Sequence, residues 1–227
     1  MVSDLLLQAG LILVTVFMFL AMHDIPKKLL TKFRYRSGRA DLKAKRHFVL
    51  GAQLFAQARS SKSRSSATSL AKQAQSEADK AISLDPNEAA AHILKALALD
   101  LQGFKTSALD SFDAALSPPA VKSLSQSERG DALFKRAELK IGLSRRGRVD
   151  SAIDDLKLAL EMSRDDNNDD NNNSSSSGKA LCLLGECYEV KKLREEAVKA
   201  YQEALRVEPS SARARSALDR IGPESIG

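Results

Sequence analysis

The sequence predicts an all-α protein: a solenoid of about four helix pairs plus a capping helix, preceded by one N-terminal transmembrane helix. Three observations predict it. Leu and Ala dominate the apolar residues, aromatics make up only 5% and Trp is absent, a composition that enters helices at little entropic cost. No short run alternates apolar and polar residues between turn signals, so no strand is predicted. Finally, Ala81, Ala115, Ala159 and Ala204 recur at intervals of 34, 44 and 45 residues, each on a helical stripe of small and large apolar residues, which is the mark of a repeat architecture.

Residues 1–4 form a short tail beyond the membrane. From Leu5 to Met22 every residue is apolar or small except Gln8 and Thr15. As a helix these residues span roughly 27 Å, enough to cross a thin hydrocarbon core. A cleaved signal would carry a positive start and a small-residue cleavage site, whereas this start carries Asp4 and no A-x-A pattern precedes His23. A core helix of a soluble domain is rarely apolar around its whole circumference.

Residues 23–41 read as a basic juxtamembrane linker. Lys27, Lys28, Lys32, Arg34, Arg36, Arg39, Lys43, Lys45 and Arg46 are opposed only by Asp41. Cations within about 15–20 residues of a span stay on the cytosolic side, so the body is expected to face the cytosol. The same cations attract anionic lipid headgroups at roughly 1 kcal/mol each near the surface. Only Phe33 and Tyr35 interrupt them, too few stacking aromatics for a nucleic-acid partner.

Residues 42–222 form the helical body. The first unit, about 42–86, takes Leu50, Gly51 and Leu54 from its first helix and Ala74, Ala78, Ala81 and Ile82 from its second, with SSKSRSSATS (60–69) lengthening the turn between them. The second, about 87–120, has Ala96 and Leu99, a turn at Gly103, then Ala108, Phe112, Ala115 and Leu116. Before the third, about 125–163, Ser125 and Glu128 offer a capping box; Ala152, Leu156, Ala159 and Leu160 follow Gly147. The Asp/Asn/Ser run at 164–178 cannot bury apolar surface and is predicted disordered. The fourth unit, about 178–209, and a capping helix at 210–221 with Ala214, Ala217, Leu218 and Ile221 on one face complete the array.

The fourth unit is the most explicit. Leu181, Leu184, Gly185 and Tyr188 share one side of a first helix, and Ala197, Tyr201, Ala204 and Leu205 share one side of a second, before Pro209. Gly185 and Ala197 let the two helices approach, and the tyrosines fill the space around them. This resembles a tetratricopeptide repeat, and the resemblance covers roughly Leu42 to Ile221. It implies that the first helices line a concave groove that binds a protein or peptide segment. By that alignment Phe48, Phe55, Ile93, Leu94, Leu97, Phe134 and Leu183 face it. The set is apolar, which implies a partner with an apolar face; the chain's own Leu29 to Tyr35 is an alternative occupant. Chaperone-binding members of the family hold a terminal carboxylate with Lys, Asn and Arg; Phe48, Ala52 and Leu94 stand in those places here and cannot donate, which argues against that partner.

Nothing in the sequence points to catalysis. His23, His47 and His92 lie near no candidate nucleophile, and there is no glycine-rich phosphate loop, His-Glu helix motif or metal-spaced Cys pair. Cys182 and Cys187 lie about 140° apart around a helix and read as small apolar fillers. Asp165, Asn167 and Asp169 start like a calcium loop, but Asp170 and Ser176 replace its Gly and Glu. No cofactor or metal is expected. Two kinds of job remain: a membrane-tethered adaptor or receptor, and a constitutive subunit whose groove is permanently filled. The endoplasmic reticulum, a mitochondrial outer membrane and a plastid outer envelope all suit the anchor. Asn172 and Asn173 each head an N-x-S sequon, bare if the body is cytosolic and glycosylated if it faces a lumen.

Overall fold

A computed structural model describes residues 25–144, 147–165 and 171–221. The predicted span at Leu5 to Met22 lies outside the described residues, and among those described no helix is long and apolar enough to cross a membrane. Nine α-helices follow one another without a strand among the described residues: α1 (Ile25–Ser60), α2 (Arg64–Leu84), α3 (Ala89–Gln102), α4 (Lys105–Leu116), α5 (Gln126–Leu143), α6 (Val149–Asp165), α7 (Asn171–Val190), α8 (Arg194–Val207) and α9 (Ala212–Ile221), with one 3-10 turn at Ala120–Ser123. Each packs on the next, pairing α1 with α2, α3 with α4, α5 with α6 and α7 with α8 before α9 closes the stack. This is the expected all-α solenoid of helix pairs.

Small residues set the spacing. Ala71, Ala74, Ala78 and Ala81 form the buried stripe of α2, and Ala44, Gly51 and Ala58 form that of α1. A Cβ on Gly51 would lie 2.9 Å from Leu94 Cδ2 and 3.2 Å from the Ala74 carbonyl oxygen, so this glycine admits both α2 and α3. In the fourth pair a Cβ on Gly185 would lie 2.6 Å from the Tyr201 ring. Tyr201 is fully buried with Ala197, Ala204, Ala214 and Ala217, and its hydroxyl donates to Glu189 at 2.6 Å. Burial first, and then that hydrogen bond, push the phenol well above its ordinary pKa.

The helix ends carry the expected chemistry. Ser125 and Glu128 form the capping box, with Glu128 N–H donating to Ser125 Oγ at 3.3 Å and Ser125 N–H to Glu128 Oε2 at 2.9 Å. Gly103 ends α3 in the left-handed region at φ 92°.

Four expectations are corrected. The basic run is helical from Ile25 and continuous with α1, because helix propagates from a packed segment at little further cost. The serine-rich stretch after Ser60 is a turn of only three residues; α2 starts at Arg64, where the Ser63 hydroxyl accepts from Ser66 N–H. Helix α7 starts at Asn171 and α6 continues to Asp165, so 164–165 and 171–178 of the run predicted disordered are helical, and 166–170 lie outside the described residues. Leu50, expected in the packing of the first pair, is 46% exposed. It lies about 100° from Gly51 around α1, and no helix pair precedes α1 among the described residues to cover it.

Candidate functional site

The first helices of the pairs bring one concave surface together. Phe48, Ala52 and Phe55 on α1 repeat at i, i+4, i+7, and Ala90, Ile93, Leu94, Leu97 and Leu101 on α3 continue the same face. Phe112 of α4 forms the floor between α3 and α5, and Phe134 of α5 completes the apolar lining of a groove of about 890 Å³. Six of the seven residues expected to face a groove, namely Phe48, Phe55, Ile93, Leu94, Leu97 and Phe134, thus line one cavity. Leu183 does not. It is 5% exposed and packs with Phe134, Ala137 and Leu184, because α7 is covered by α5, α6 and α8 at once.

The rim is charged, which the apolar reading of the sequence missed. Arg59, Asp100, Glu128, Asp131, Lys135 and Lys179 edge the cavity. Asp131 accepts from Ser176 Oγ at 2.9 Å. Lys135 pairs with Glu138 at 2.7 Å and lies 5.3 Å from the centre of the Phe134 ring, a cation–π contact. Arg59, Asp100 and Lys179 carry no ion pair among the described residues.

Beneath this wall a buried network joins the second and third units. Arg136 donates to both carboxylate oxygens of Asp155, at 2.9 and 2.6 Å, and through Nη1 to Asp113 of α4 at 2.8 Å. Lys140 donates to the same Asp155 at 2.7 Å and to Ser151 Oγ at 2.6 Å. Burial works against the Arg136 charge, but the hydrogen bonds and field of Asp155, and then Asp113, outweigh it and raise the guanidinium pKa. The sequence held a signal: Arg136 and Lys140 fall on the stripe of Leu133 and Ala137, and charges on a core stripe demand partners.

The remaining candidates have structural roles. Nδ1 of His47 bridges α1 to Glu77 of α2 at 2.6 Å, where Lys80 also donates at 2.6 Å. The Lys80 hydrogen bond first, and that of His47 second, hold the Glu77 carboxyl below its ordinary pKa. Nε2 of His92 meets the Pro86 carbonyl at 2.9 Å. No three His, Cys, Asp or Glu side chains among the described residues group as a metal would need. Of the basic cluster, Lys43, Lys45 and Arg46 are exposed, with Lys45 paired to Asp41 at 3.1 Å. Lys27, Lys28, Lys32, Arg34, Arg36 and Arg39 belong to the first turns of α1, and their side chains are outside the described residues. The segment Leu29 to Tyr35 is part of the same helix, so Tyr35 stands about 20 Å along the axis from Phe48 and does not fold back into the groove.

With this geometry the relatives can be set beside it. Residues 178–211 match the family model of the tetratricopeptide repeat. The matched stretch is the pair α7 and α8 with the Gly185–Tyr201 contact at its centre. Two solved structures share the fold over most of the chain: the MamA RS-1 ArsTM double mutant, at 16% identity over 79% of this chain and 83% of that one with a TM-score of 0.59, and Pseudomonas aeruginosa pilF, at 17% identity over 80% of this chain and 68% of that one with a TM-score of 0.57. No curated protein matches the chain. These likenesses show a tetratricopeptide-like solenoid fold, and the lined groove lies on its first-helix face.

Proposed function

We propose that the chain is a non-enzymatic, membrane-anchored adaptor or receptor that holds a protein or peptide segment in its apolar groove. The observation that carries this is the convergence of Phe48, Phe55, Ile93, Leu97 and Phe134 on one open cavity; large apolar side chains gathered on a concave surface mark a binding site. The apolar run from Leu5 to Met22 supplies the anchor and the basic residues after it orient the body towards the cytosol. The cations nearest the anchor in the sequence, Lys27, Lys28 and Lys32, favour contact with anionic headgroups. The membrane is that of the endoplasmic reticulum, the mitochondrial outer surface or a plastid envelope.

A second reading has its own observation. Leu42, Val49 and Leu50 on α1 are 56%, 51% and 46% exposed, whereas the end of a free-standing solenoid is normally polar. That end favours a constitutive subunit with a permanent partner against α1.

Protease protection on intact membranes, combined with glycosidase treatment, tests the topology. Digestion of an unglycosylated body from outside supports the cytosolic adaptor. A protected body that shifts with glycosidase refutes it. Capture by the full-length chain then tests the groove. Phe55→Asp and Leu97→Asp are expected to lose the captured protein while keeping the helical circular dichroism, and undiminished capture by both refutes groove binding. A chain that is degraded when its partner is depleted is the constitutive subunit.

A further inference from the structure

The positive charge of the chain is gathered in α1. Between Ile25 and Ser60 this helix holds ten Lys and Arg against Asp41 alone, so the remainder of a chain of net charge +6 is acidic on balance. Asp41 is itself paired with Lys45. The same helix exposes apolar side chains. Leu42 and Val49 stand within about 20° of each other, on the side of α1 opposite Gly51, which is the side packed against α2 and α3. Lys45 lies about 60° to one side of Leu42, and Arg46, Leu50 and Lys43 lie about 40°, 80° and 100° to the other; all of them are exposed. The far end of the stack is different. There α9 buries Ala214 and Ala217, and its Arg213 and Arg220 are paired with Glu186 and Glu189.

We propose that the outer face of α1 docks flat on an anionic lipid bilayer, with Leu42, Val49 and Leu50 in the acyl boundary and Lys43, Lys45 and Arg46 at the headgroups. This rests on the membrane reading above, and it gives the exposed end of the stack a lipid cover in place of the protein of the second reading. A helix whose apolar stripe runs between cations lies in the plane of the interface, because apolar burial and attraction to anionic lipid add. The long stems of Lys and Arg cover the edges of such a stripe while their charges reach the phosphates. The cations recur from Lys27 to Arg46, roughly 29 Å of helix, a length that suits a continuous anionic surface. The acidic remainder of the chain disfavours any other face against that surface. Only His23 and Asp24 separate Ile25 from the apolar run Leu5 to Met22, so an anchored chain holds α1 at high local concentration beside the bilayer.

The full-length chain, spin-labelled at Val49→Cys and reconstituted with phosphatidylcholine vesicles with and without phosphatidylserine, tests this. Ser216→Cys, exposed on α9, is the reference, and wild type, whose Cys182 and Cys187 are buried, sets the labelling background. With phosphatidylserine, the label at Val49 is expected to be open to oxygen and shielded from an aqueous nickel chelate, while the label at Ser216 stays in water. Removing phosphatidylserine is expected to lower the ratio of docked to free label about fivefold for each cation engaged. Adding Leu42→Asp and Leu50→Asp, at exposed positions, is expected to return the Val49 label to water with the helical circular dichroism kept. A Val49 label as open to the chelate as that at Ser216 overturns the proposal, as does docking that survives the two aspartates. A label shielded from oxygen and chelate alike, whatever the lipid, shows a protein cover and overturns the lipid one. Alkaline extraction of the same vesicles separates this from the anchor. A chain released by alkali whose Val49 label is in lipid at neutral pH refutes the anchor and supports the docked face; a chain retained with that label in water does the reverse.

Discussion

Replacing Gly185 by Ala tests the packing at the centre of the best-defined unit. The added methyl would sit 2.6 Å from two atoms of the Tyr201 ring and 2.9 Å from a third, where carbon atoms prefer about 3.5–4 Å. The ring must therefore move by about 1 Å. It is fully buried and held at its far end by the 2.6 Å bond from its hydroxyl to Glu189, so it cannot swing into solvent. Overpacking of this kind costs about 1–3 kcal/mol, and a weakened hydrogen bond to a carboxylate adds about 1–2. The better helix propensity of Ala returns about 1. The net expectation is a loss of about 1–4 kcal/mol, read from urea unfolding of the full chain by circular dichroism. Tyr201→Leu on its own leaves a cavity, but combined with Gly185→Ala it should cost less than the two single changes added, because the methyl then has room. Gly103→Ala is the contrast: its Cβ would meet nothing within 4 Å, yet φ is 92°, so it should lose only the roughly 1–2 kcal/mol of left-handed strain. A neutral or stabilising Gly185→Ala would refute the close-approach account of the fourth pair.

Two further outcomes follow from the ion pairs. Asp155→Ala strands Lys140 and Arg136, whose side chains are only 10% and 18% exposed, and should cost about 3–5 kcal/mol in urea unfolding. Asp113→Ala removes a half-exposed partner and should cost less than about 1; similar losses for both would contradict the network. For Glu77 the folded pKa lies below its ordinary 4.5, so the unfolded chain binds more protons in that window and stability rises with pH there. Its contribution is complete above the unfolded pKa and lost as pH falls through the depressed folded one. The stability gap between the wild type and Glu77→Gln should accordingly close on acidification below about pH 4.5, and a gap independent of pH would exclude the ion pair.

Much of the site was legible because small residues leave a register. Gly51, Ala74 and Ala78 lie where helices touch, and a residue without a side chain can be read for the closeness it permits. Once that register was set, Phe48, Phe55 and Ile93 could be assigned to the open face. Leu183 could not, since whether a leucine beside a packing stripe meets solvent or a third helix depends on how many neighbours its helix has. Leu50 failed for the opposite reason: among the described residues α1 has a partner on one side only. The charged rim was hidden as well, because Lys135 and Lys179 look like ordinary surface lysines until α5 and α7 stand next to each other.

By itself the sequence determined the helical class, the pairing of α7 with α8 around Gly185 and the capping box at Ser125, all of which rest on local propensities and on contacts between residues close in the chain. The tertiary structure decided the continuity of α1 from Ile25, the burial of Leu183, the Arg136–Asp155–Lys140 network and the gathering of charged side chains on the rim of the groove. These depend on which helices lie side by side. Burial and electrostatics are set by neighbours in space, which the spacing of residues along one helix does not specify.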